Sequence, residues 1–164
     1  MPNIMRWRFG QTRPVELPVD AAIEVNIGDI VYLDTGTAKP ANEIKDIGGS
    51  GPLTLAAAQE VLHDSFVGVA MQHSGIGETK EIRIATAGVF DFDCDSAVYE
   101  LGDRLGVNDN TAGTALDSQT VIAVVVTSPE LSIGRVARRV PSAESRVMIE
   151  IHSTVMRDGP QAVS

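Results

Sequence analysis

Asp91, Asp93 and Asp95 recur at every second position in VFDFDCD, and this is the pattern in the chain best suited to chemistry. On a strand, carboxylates two residues apart lie on one face, roughly 7 Å from each other. A hard cation such as calcium wants six or more oxygens, and the spacing of a calcium-binding helix-loop-helix is absent. Paired-carboxylate hydrolysis needs one carboxyl in a dry pocket that keeps its proton, which successive aspartates on an exposed strand do not supply. The ladder therefore reads as a solvated or salt-bridged acidic face. Cys94 is the single cysteine, so an internal disulfide and a cysteine-cluster metal site are both excluded. It shares its strand face with Phe90 and Phe92, which predicts a small buried hydrophobe. Its neighbours Asp93 and Asp95 oppose a reactive thiolate.

The remaining chemistry-bearing residues are scattered. His63, His73 and His152 form no His-x-His or HExxH arrangement, so zinc is not indicated. Residues 48–52, GGSGP, lack the Gly-Lys-Ser/Thr end of a phosphate loop, and no serine stands in a G-x-S-x-G turn. No catalytic residue, metal ligand or cofactor follows from any of these, and the expectation is a protein that is not an enzyme.

The elements that would position these residues are mostly short strands between Gly, Asp and Asn turns. In KEIRIA, Ile82 and Ile84 oppose Glu81 and Arg83. In RVMIEIHSTV, Val147, Ile149, Ile151 and Val155 oppose Arg146, Glu150 and His152. This alternation means one covered face and one wet face. FVGVAM (66–71) has strand character, and VIAVVV (121–126) does not alternate and reads as an interior strand. Thr54 is placed to cap one helix from Leu55 to about His63, with Leu55, Ala58 and Leu62 as its apolar stripe. About eight to ten short strands and one short helix predict a mainly β fold, a small barrel or sandwich. Gly28-Asp29 before IVYLDTGTA and Gly102-Asp103 before RLGVNDNTAG form a weak internal echo, compatible with two similar barrel corners or with chance similarity of hairpins.

Residues 1–18 read as an extended N-terminal arm, because Pro14 and Pro18 each lack a backbone donor and suit a central strand poorly. The arm carries Arg6, Trp7, Arg8, Phe9 and Arg13, a candidate contact with a partner or neighbouring subunit. Residues 19–156 would form a single β-rich domain and residues 157–164 a flexible tail. Deleting residues 1–13 is then expected to leave the folding transition nearly unchanged. The formal charge is −9, from 22 acidic and 13 basic residues, which repels nucleic acid. The only basic concentrations are the arm and Arg135, Arg138 and Arg139. No apolar run has the length of a membrane span, and the first twenty residues lack the apolar stretch of a secretory signal.

Taken in order, GDIVYLDTGTAKPA, SFVGVAM, IRIATAGVFDFDC, LGDRLGVNDNTAG and IGRV before VMIEI resemble the DUF2190 family of phage and prophage capsid cement, or head decoration, proteins. The positions that match are Gly28, Asp29, Gly68, Gly88, Val89, Phe90, Gly102, Asp103 and Gly134, which read as turn and strand-core residues. The resemblance implies a β-rich virion protein made in the host cytoplasm that binds the major capsid protein on the outer surface of the head. It also implies a homo-oligomer, a trimer being favoured, with no cofactor, nucleic acid or membrane. On electrostatic grounds the acidic ladder is expected to face away from the shell and the arm arginines toward it. Two other expectations stand beside this one, a fibre-base or tail-associated virion protein and a ligand- or carbohydrate-binding β domain.

Overall fold

The computed structural model describes residues 3–48 and 51–157. Met1 of the arm, Gly49 of the glycine-rich loop and all of the expected tail beyond Arg157 lie outside the described residues. The chain is mainly β, as expected, with its strands arranged as two five-stranded units that follow one another in sequence.

The first unit contains β2 (Val15–Pro18), β3 (Ile30–Asp34), β4 (Thr37–Pro40), β5 (Phe66–Ala70) and β6 (Glu81–Ala85). They pair in the order β2-β6-β5-β3-β4, and a parallel bridge from Val19 to Ala38 closes the sheet on itself. The second unit contains β7 (Val89–Tyr99), β8 (Arg104–Asp109), β9 (Leu116–Ala123), β10 (Gly134–Val136) and β11 (Val140–Ile151). Its order is β7-β11-β10-β8-β9, closed by parallel pairing of β7 with β9. A short strand, β1 (Trp7–Phe9), adds to the edge of β7.

Numbering each unit's strands one to five shows the same connectivity twice, and the registers agree residue for residue. Val31 faces Gly68 as Leu105 faces Gly134. Leu33 faces Ala38 as Val107 faces Val121. Leu17 faces Ile82 as Phe92 faces Val147. The Gly-Asp echo is thus the same corner built twice. Gly28 and Gly102 hold positive φ. Asp29 and Asp103 each take the amide hydrogen of the residue three before, Asn26 at 2.9 Å and Glu100 at 2.9 Å. This is a type II turn, whose third position needs positive φ. The equivalence also accounts for Arg13, whose φ of 42° is rare for a side-chain-bearing residue. It occupies the place that Gly88, φ 114°, holds in the second unit.

Side-chain alternation explains both interiors. Val31, Val67, Ile82 and Ile84 fill the first unit, while Phe92, Leu105, Val107 and Val147 belong to a larger core. That larger core also takes Ile30, Phe66 and Val69 from the outer surface of the first unit. β5 is therefore covered on both sides, which is why FVGVA shows no alternation. Helix α1 (Leu55–Asp64) begins where expected, with the Thr54 hydroxyl accepting from Ala57 N at 3.1 Å, and it buries Ala58 and Leu62. A four-residue helix, α2 (Thr154–Arg157), follows β11.

Two strand expectations are corrected. β9 ends at Ala123, so only the first half of VIAVVV is strand, and Val125 and Val126 are exposed. Val155 does not extend the buried face of β11, because the chain turns into α2 after Ile151. Cys94 is free and buried, as its face predicted. Desolvation, helped by Asp95, Asp93 and Asp91, pushes its thiol pKa up. Labelling of native protein by a thiol reagent should therefore be on the order of a hundredfold slower than in denaturant, since it requires opening of the fold. Equal rates would place Cys94 at the surface.

Candidate functional site

The N-terminal segment is extended, as expected, but it is woven into the body. β1 pairs with β7 and β2 pairs with β6, which corrects the picture of an arm lying outside the core. Pro14 lies just before β2, and Pro18 ends a strand that keeps one edge largely unpaired.

Within Met5 to Phe9 one side chain is buried and the others are exposed. Arg6 is 1% exposed, whereas Met5, Trp7 and Phe9 are 47%, 39% and 54% exposed. Arg6 thus turns its charge inward, while Arg8 is exposed beside the apolar groups. Arg6 is tolerated inside because four of its five N–H donors are met. Nε and Nη2 donate to Gln119 Oε1 at 3.0 and 2.6 Å, Nη1 to the Asp91 carbonyl at 3.0 Å, and Nη2 to Asp93 Oδ2 at 3.1 Å. The guanidinium also lies 5.8 Å from the centre of the Phe92 ring, within cation–π range. Gln119 passes the network on, its Nε2 donating to Asp29 Oδ1 at 2.8 Å. Burial pushes the Asp29 carboxyl pKa up, and the hydrogen bonds from Gln119 and Asn26 offset part of the rise. One chain of contacts thus joins the N-terminal strand, the corner of the first unit and β9 of the second.

Arg8 Nη2 reaches Asp91 Oδ2 at 3.0 Å, and Arg146 lies 3.5 Å from both Asp91 and Asp93. Asp91 and Asp93 of the acidic ladder are accordingly salt-bridged, whereas Asp95 accepts from Asn108 Nδ2 at 3.4 Å. The ladder shares a surface with the arm arginines, so the premise that the two face opposite ways does not hold. Arg13 is exposed and contributes its carbonyl to the Thr86 hydroxyl at 2.6 Å. The Trp7 indole N–H donates to the Gly10 carbonyl at 3.0 Å, which fixes the ring against its own strand.

The turn and core positions are dispersed. Gly28, Asp29, Gly102 and Asp103 make the two corners, Phe90 is buried beneath β1, and Gly88 with Val89 opens β7. Gly68 and Gly134 sit where the backbone of the adjoining strand leaves no room for a Cβ. Residue-by-residue reading passed over Met5 and Gln119. The Met5-x-Trp7-x-Phe9 spacing was legible in the sequence, but nothing local marks Gln119. Among the described residues, no group of three or more His, Cys, Asp and Glu could hold a metal ion, and no helix is long and apolar enough to cross a membrane.

No family model and no curated protein matches the chain. Among solved structures it is similar to the head fibre gp8.5 N base of bacteriophage phi29. The identity is 13%, the TM-score is 0.42, and the match covers 84% of this chain and 93% of that one.

Proposed function

We propose that this chain is a non-enzymatic structural protein of a phage virion, a cement or decoration protein of the kind implied by the DUF2190 resemblance. On this reading it binds the major capsid protein at the outer surface of the assembled head and acts as a symmetric homo-oligomer, a trimer being favoured. The observation that carries the reading is the exposed group Met5, Trp7 and Phe9, backed by a buried arginine that donates four hydrogen bonds. Aromatic anchors held rigid before binding lose little entropy on docking, and such anchors supply most of the energy at protein interfaces. Repetition of one modest contact around a symmetric oligomer multiplies its effect. Arg6 and Arg8 already have carboxylate partners, so the grip comes from the apolar group, with these two arginines holding it in place.

The test is co-sedimentation of purified protein with undecorated expanded heads, unexpanded heads and tails. Binding to expanded heads is the expected result. Trp7→Ala with Phe9→Ala should weaken it by about thirtyfold or more, the effect of losing roughly 2 kcal/mol at an aromatic anchor. Binding to tails alone would favour the fibre-base or tail reading, and unchanged affinity of the double variant would remove the group from the interface.

A further inference from the structure

A second feature lies on the outer face of the second unit. Arg104 and Arg135 are Cα partners on the neighbouring strands β8 and β10. Directly opposed residues project to one face about 5 Å apart, and like charges so placed destabilise the sheet. The juxtaposition is notable in a chain with 22 acidic and 13 basic residues. Among the described residues neither arginine has a carboxylate within ion-pair distance. Glu150 is the Cα partner of Arg135 on its other side, yet the two form no ion pair.

These side chains line a cleft of about 380 Å³ together with His63, His152 and the backbone at Gly134. His63 is fixed there, its Nδ1–H donating to the Ser132 carbonyl at 2.6 Å.

The repeat supplies a comparison inside the same molecule. By register, Arg104, Arg135 and Glu150 correspond to Ile30, Val69 and Ala85 of the first unit. Those three are apolar and 0% exposed. The barrel framework therefore requires no charge at these positions. Where the face is open rather than covered, two arginines that line one cleft replace the aliphatic pair.

We propose that this cleft binds an oxyanion of the carboxylate or phosphate class between Arg104 and Arg135. Paired planar guanidinium groups suit the forked acceptors of such a group, and a bound anion relieves their mutual repulsion. Glu150 at the rim disfavours ligands of high negative charge. The site is separate from the Met5–Phe9 group and does not depend on what that group contacts.

The test is a titration of the full-length protein, followed by amide chemical shifts, with inorganic phosphate in one arm and acetate in another. Chloride at matched ionic strength is the control. Saturable shifts centred on Arg104, Gly134 and Arg135 are expected, with a midpoint in roughly the millimolar range. Whichever arm saturates at the lower concentration identifies the class. Arg104→Gln and Arg135→Gln, singly and together, should each weaken binding, the pair by about tenfold or more, while Glu150→Gln should tighten it. The single variants keep the test decisive if the double variant folds poorly. Non-saturating shifts scattered over the surface basic residues, matching those in chloride, would overturn the proposal. So would unchanged binding in both single variants.

Discussion

Arg6→Ala should lower the unfolding free energy by about 3–5 kcal/mol, the usual consequence of removing one partner from a buried charged network. Four donated hydrogen bonds disappear together, leaving Gln119 Oε1 and the Asp91 carbonyl without their guanidinium donors. Asp93 suffers less, because it is half-exposed and water can replace the arginine. Arg6→Lys keeps the charge but lacks the fork that serves three acceptors at once, so an intermediate loss is expected. Arg8→Ala is the control. Its pair with Asp91 lies near the surface, with the arginine side chain 38% exposed, and should contribute no more than about 1 kcal/mol. The partners can be separated by a cycle of Arg6→Ala, Gln119→Ala and the double variant in urea. Strong non-additivity is expected, since the second substitution removes an interaction already lost. Additive losses would mean that Arg6 and Gln119 act independently. For the same reason, deletion of residues 1–13 should lower the folding transition markedly, replacing the expectation that those residues are dispensable.

The second large effect is at the two equivalent glycines. A Cβ built on Gly68 would lie 1.7 Å from the Ala85 carbonyl oxygen, and one on Gly134 would lie 2.2 Å from that of Glu150. In both cases the obstacle is the backbone of the adjoining strand, β6 or β11, which cannot rotate away as a side chain can. Either the ladder separates or the barrel opens. Gly68→Ala and Gly134→Ala should each cost more than about 4 kcal/mol, at the extreme of single-substitution effects. In a chain of this size that lowers the melting temperature by more than about 10 °C. Gly36→Ala and Gly102→Ala provide the contrast. Both glycines have a φ of 86° but nothing within 4 Å, so only backbone strain of about 1–2 kcal/mol applies. Calorimetry of the four variants should divide them two and two. A melting temperature for Gly68→Ala within a few degrees of the parent would show that β5 and β6 do not approach so closely.

What the sequence determined by itself is the local grammar. Period-two alternation in KEIRIA and VFDFDC assigned strand faces, and the buried positions of Ile82, Ile84, Phe90, Phe92 and Cys94 follow from it. Thr54 and the alanines after it defined α1, because capping and helix propensity act within a few residues. Gly-Asp marked both corners for the same reason. Tertiary structure decided everything that depends on which strands meet. Alternation says that a residue points inward or outward, but it does not name the neighbour across the ladder. Arg6 therefore looked like a free surface charge, since its acceptor Gln119 lies 113 residues away. The repeat was hidden likewise. Val15 and Phe90, Ala38 and Val121, or Ile30 and Arg104 share positions but not side chains. A barrel constrains volume and register more tightly than residue identity, so the second copy could exchange aliphatic groups for arginines wherever its outer face stayed open.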